Sequence, residues 1–73
     1  MRRPDAEIFR ENVKRICKEK DLRMTKIDKI VGYYPGNVTM MAVRGASVTT
    51  MHIKRYAKAL GVEPWRLTEG MFE

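Results

Sequence analysis

Along most of the chain, apolar residues recur at helical rather than strand-like spacing. Between Asp5 and Lys20 they are Ile8, Phe9, Val13, Ile16 and Cys17, and the last four fall on one face of an amphipathic helix. Asp5, just after Pro4, is expected as its N-cap, Glu7 complements the helix dipole, and Glu11 and Arg15 form an i,i+4 pair. Asp21 suits the turn geometry that ends such a helix. A second, shorter helix is predicted at 24–31 from Ile27, Ile30 and Val31, with Thr25 and Asp28 as a weak capping box and Gly32 as its stop. Tyr33-Tyr34-Pro35-Gly36-Asn37 is turn chemistry. A third helix over 37–43, capped by Asn37, puts Val38, Met41 and Ala42 on one face and Thr39, Met40 and Val43 elsewhere, and Arg44-Gly45 ends it. Thr49 or Thr50 caps a fourth helix running to Leu60. Its inner stripe is Ile53, Tyr56, Ala57 and Leu60, and its outer face holds Lys54, Arg55 and Lys58. Gly61 stops it, and Pro64 opens a last short helix containing Trp65 and Leu67, closed by Gly70.

Five short helices with short connections and no internal repeat imply an all-α chain, residues 1–73 forming one domain. At 73 residues the core is necessarily small, because a chain of this size buries only ~60% of its unfolded surface. A single cysteine, Cys17, excludes an internal disulfide and fits a reducing, cytoplasmic setting. One histidine and one cysteine exclude a zinc site of the Cys/His type. No apolar run approaches the ~20 residues of a membrane span, and no signal peptide is expected. Charge is more informative. Fifteen Lys and Arg oppose nine Asp and Glu, for a net +6. Between Asp28 and Glu63 there is no carboxylate at all, whereas about four would stand there at the chain's average frequency. That stretch carries Lys29, Arg44, Lys54, Arg55, Lys58 and His52. An uncompensated positive surface points to a polyanionic partner.

Certain residues at the helix ends add a resemblance. Lys20-Asp21-Leu22 close the first helix, and Val31-Gly32 close the second, six residues before the apolar Val38 that opens the third. Arg44-Gly45 follow, and then the run Tyr56-Ala57-Lys58-Ala59-Leu60-Gly61-Val62-Glu63-Pro64-Trp65-Arg66-Leu67. From about Phe9 to Gly70 the chain resembles the phage repressor and Cro-type helix-turn-helix domains of the xenobiotic-response-element class. The resemblance implies a compact five-helix bundle of the lambda-repressor-like DNA-binding type, with the helix-turn-helix at helices two and three. It implies a transcriptional regulator, of phage or prophage type, that binds double-stranded DNA by placing its third helix in the major groove. It also carries the C-terminal segment, here Trp65, Arg66, Met71 and Phe72, to a dimer contact. A homodimer on a pseudo-palindromic operator is expected in any case, since single modules bury only ~600–1,000 Å² on DNA. The expected setting is the cytoplasm of a bacterial or phage-infected cell.

The chain departs from that family where base reading is concentrated. Met24 stands where a polar residue often opens the second helix, Asp28 replaces a common alanine, and Pro35-Gly36 occupy positions that usually carry polar base readers. Seven residues, not six, separate Val38 from Gly45. A third helix that starts about one residue late accounts for both of the last two departures, and makes Asn37, Thr39 and Met40, with Val43, the groove-facing set. Asn37 suits adenine, and the Met, Val and Thr methyls suit thymine. Expected phosphate contacts are Arg44, then Arg23 and Lys26 near the start of the second helix, with Tyr33, Tyr34, Ser47 and Thr49 as neutral donors. His52 has no partner visible in the sequence. No Ser/His/Asp set, phosphate-binding glycine loop or paired-carboxylate motif is present, so neither enzymatic activity nor a cofactor is expected. The alternative is a protein-interaction module on the same fold, antitoxin- or anti-repressor-like, which the Pro-Gly start and apolar Met40/Val43 face favour.

Overall fold

The structure is a computed structural model that describes residues 4–71. Among these it contains five helices and no strand: α1 (Asp5–Glu19), α2 (Met24–Val31), α3 (Asn37–Arg44), α4 (Thr50–Leu60) and α5 (Trp65–Thr68). Each predicted helix is present: α2 has the predicted bounds, α1 ends one residue early and α3 one residue late, and α5 stops at Thr68, short of Gly70. None of these helices is long and apolar enough to cross a membrane. The radius of gyration, 11.0 Å, is that of a closely packed chain of this length.

α1 is the spine. It packs most extensively against α3 and α5, while α2 packs on α4. The predicted stripe of α1 is fully inside: Phe9, Val13, Ile16 and Cys17 join Ile27 of α2, Val38 of α3, Tyr56, Ala57 and Leu60 of α4, and Leu67 of α5 in one core. Phe9 meets the Tyr56 ring edge-on, centroids 5.5 Å apart, a geometry in which the positive ring edge faces the negative π face. Asn12 is a polar member of the same face of α1. Its Nδ2 donates to the carbonyls of Leu67 and Glu69, both at 3.0 Å, and so ties the C-terminal segment to the spine.

Helix ends follow local chemistry with some corrections. Asp5 is the first helical residue and Pro4 the N-cap, so the Asp5 side chain is not a cap. Thr25 and Asp28 form no capping box: α2 begins without any side-chain cap, and Asp28 is committed elsewhere. Asp21 does take the left-handed conformation, φ 55°, which lets Leu22 N–H reach back to the Cys17 carbonyl at 2.8 Å. Thr49 caps α4 in a full capping box whose other member is His52, not the usual Glu or Gln. Pro64 holds helical dihedrals at the start of α5.

Two apolar residues sit on the other side of the surface from where periodicity or resemblance puts them. Ile30 is exposed, because α2 turns Met24, Ile27, Asp28 and Val31 inward instead. Met71, expected at a dimer contact, is buried in the chain's own interior at 2%.

Candidate nucleic-acid interface

Between α2 and α3 the backbone makes its tightest manoeuvre. Gly32 ends α2 at φ 106°, and four residues later Gly36 serves as N-cap of α3 at φ 93°. An L side chain at either position would sit in strained backbone. What holds Gly36 there is a buried carboxylate of α2. Asp28 is 1% exposed; its Oδ2 accepts the Gly36 backbone N–H at 2.9 Å, and its Oδ1 accepts the Tyr56 hydroxyl at 2.6 Å. The Tyr56 oxygen in turn accepts from Asn37 Nδ2 at 3.2 Å. One carboxylate therefore joins α2, α4 and the first turn of α3. Burial pushes the Tyr56 phenol well above its ordinary value of 10.0, the hydrogen bond to Asp28 adds to the rise, and the Asn37 donation opposes it.

This network corrects the reading of Asn37. It is not the cap of α3 but its first residue, and its amide is buried, spent on Tyr56 and on Met41 Sδ at 3.6 Å. With Nδ2 so engaged, the bidentate pairing with adenine is not available to it. Val38 and Met41 anchor the same inner side, which leaves Thr39, Val43 and Arg44 exposed and Met40 half-exposed on the outer side of α3. Among the described residues Val43 is the most open of the large apolar side chains, at 73%. Of the expected base readers, Thr39 and Met40 thus stand on an accessible surface and Asn37 does not.

The charge gap of the sequence widens in three dimensions. Since Asp28 is interior, no carboxylate reaches the surface anywhere from Leu22 to Val62. Over that span Arg23, Lys26, Lys29, Arg44, Lys54, Arg55 and Lys58 are all exposed. Carboxylates are concentrated on α1 and the C-terminal segment, where Arg15 pairs with Glu69 at 2.6 Å and Arg66 with Glu19 at 2.7 Å. Positive charge without counter-charge belongs to α2, α3, α4 and their connections.

The expected phosphate contacts divide. Arg44, Arg23, Lys26, Tyr34 and Ser47 are exposed. Tyr33 is half-buried and stacked on Tyr56, rings nearly parallel with centroids 6.2 Å apart, so most of its ring is structural. Thr49 is exposed, but its Oγ1 already accepts His52 N–H at 3.3 Å. His52, which the sequence leaves without a role, accepts the Thr49 N–H on Nδ1 at 3.1 Å and lies 5.8 Å from the Tyr33 ring. Partial burial, and secondarily the charge of Arg55, holds its pKa below the ordinary 6.5. A tertiary contact between Tyr33 and His52 has no local signal, although Thr49 three residues before His52 has capping-box spacing.

At the expected dimer contact, Trp65 is exposed, Arg66 is engaged with Glu19 of its own chain, and Met71 is interior. Phe72 lies outside the described residues. A separate groove of about 470 Å³ lies between α2 and α4, lined by Ile30, Val31, Ala59, Arg55 and Lys58.

Compared with family models, with curated proteins and with solved structures, the chain matches none.

Proposed function

We propose that this protein is a sequence-specific double-stranded DNA-binding regulator, α2 and α3 acting as the helix-turn-helix of a lambda-repressor-like bundle and α3 entering the major groove. The observation that carries the reading is the cationic surface without exposed carboxylates across α2, α3 and α4. A duplex presents a negative charge every ~1.7 Å, and neutralising it releases counterions, which dominates affinity. The exposed strip of α3 has the right dimension as well, since the major groove admits one helix. On this reading α2 crosses the backbone, with Arg23, Lys26 and Arg44 on phosphates. The chain binds as a homodimer on a pseudo-palindromic operator, with exposed Trp65 as its anchor at the contact. It is a binding protein rather than an enzyme, and it acts in the cytoplasm of a bacterial or phage-infected cell.

The test is a duplex-binding titration at low and moderate salt. Affinity is expected to fall steeply with salt, and Arg44→Ala to weaken all sequences alike while reducing the salt slope by about 1. A binding constant that hardly moves with salt removes the proposal. A second reading, a protein-interaction module, is favoured by the α2–α4 groove, whose lining mixes Ile30, Val31 and Ala59 with Arg55 and Lys58. It predicts weak duplex binding without sequence preference and loss of partner capture in Ile30→Glu.

A further inference from the structure

We infer that α3 recognises 5-methylpyrimidines as a class, reading the major-groove methyl of thymine or of 5-methylcytosine by van der Waals contact and not by hydrogen bonds to base edges. This rests on the major-groove reading above.

The inference comes from what the outer side of α3 offers once the inner side is accounted for. Helices in the major groove meet base edges chiefly through their N-terminal residues. Here the N-cap is Gly36, without a side chain, and the first residue is Asn37, whose amide is sequestered by Tyr56 and Met41. Pro35, just before, has no donor either. Next on the exposed side come Thr39, Met40 and Val43, which present methyl and thioether surface and a single hydroxyl. Arg44 is the last residue of the helix, at the end that leaves the groove floor for the backbone. Cations on α2, which packs against both α3 and α4, and on α4 supply complementarity to the duplex, and on the major-groove reading the exposed aliphatic positions of α3 face the groove floor. In that groove the one apolar feature a base pair displays is the pyrimidine C5 methyl. The Thr39 hydroxyl, both donor and acceptor, discriminates little between bases, so the strip distinguishes sequences chiefly by that methyl and treats a methylated cytosine as it treats thymine at that atom.

The experiment uses the full chain. Duplexes are enriched by binding from a random thymine-containing pool. The tightest is then resynthesised with uracil replacing thymine, and binding of both forms is measured by fluorescence anisotropy. Removing each methyl that touches α3 is expected to weaken binding about three- to fourfold, the equivalent of one buried methyl group. Returning the methyl on a neighbouring pyrimidine frame, with 5-methylcytosine in place of cytosine at single positions, is expected to raise affinity where a methyl falls under Thr39, Met40 or Val43. The variant Met40→Ala/Val43→Ala, altered only on the outer side of α3, is expected to bind the thymine and uracil forms nearly equally. Equal affinity of the unaltered chain for thymine and uracil forms overturns the inference and leaves the major-groove reading standing. An undiminished preference in the double variant also overturns it. Failure to enrich any duplex removes the major-groove reading itself, and this inference with it.

Discussion

Tyr56→Phe removes a single oxygen and leaves the ring against Phe9 and Tyr33. Two partners are affected: Asp28 Oδ1 forfeits its 2.6 Å donor, and Asn37 Nδ2 keeps only the 3.6 Å approach to sulfur. A hydrogen bond to a charged acceptor contributes about 1.5–3 kcal/mol, and an interior oxygen left unsatisfied puts the cost in the upper part of that range. The expected loss is about 2–3 kcal/mol, against a total stability of roughly 4–11 kcal/mol for a chain this long. Urea unfolding followed by far-UV circular dichroism measures it, and the melting temperature is expected to drop by roughly 10 °C or more. Combined with Asp28→Ala, the two losses are expected not to add, with a coupling of about 1.5–3 kcal/mol. The sign with pH is fixed too. The folded chain holds the phenol neutral, with its pKa above 10.0, so this contribution is complete below about pH 10 and is lost as pH rises past the raised folded value. The gap between wild type and Tyr56→Phe therefore narrows on the alkaline side. A variant within about 0.5 kcal/mol of wild type, or fully additive double-variant losses, would refute the network.

Two further predictions use groups whose protonation the fold disfavours changing. His52 Nδ1 accepts the Thr49 N–H only when unprotonated, and its pKa is depressed below 6.5. Its contribution is thus complete above pH 6.5 and declines as pH falls below it, relative to His52→Gln, which keeps a capping side chain that does not titrate. Parallel stability profiles for the two proteins from neutral to mildly acidic pH would count against the capping role. Burial, and then the charge of Asp28, raises the Cys17 thiol above 9.0, and the residue is 2% exposed. A thiol-specific disulfide reagent at about pH 8 is expected to react only at the rate of unfolding; immediate reaction of the folded chain contradicts the packing of α1.

Helix positions are legible in the sequence because they depend on neighbours a few residues apart. Phe9, Val13, Ile16 and Cys17 declare a face by spacing alone, and Gly32, Gly45, Gly61 and Thr49 declare ends by their backbone and hydroxyl chemistry. Interior polar residues are not legible. Asp28 looks like a capping residue in its local window, and its real partners are Gly36 and Tyr56, the latter 28 positions away. With Asp28 facing inward, the apolar period of α2 shifts, and for that reason Ile30 lies outside the core that its spacing predicts. Asn12 and Asn37 follow the same rule, since their partners lie 55 and 19 positions along the chain. Met71 is interior because Gly70, at φ 86°, turns the chain back on α1. Of the candidate surface, the acid-free stretch is readable and the state of Asn37 is not, because charge is a property of composition and amide commitment is a property of tertiary contact.

Because Asn37, Val38 and Met41 fasten α3 from within, the outward positions Thr39, Val43 and Arg44 are mechanically independent of the fold. They can be exchanged wholesale in a combinatorial library at little thermodynamic cost, which makes the helix a replaceable cartridge. Descendants of this chain can drift in preference there while the frame stays unaltered.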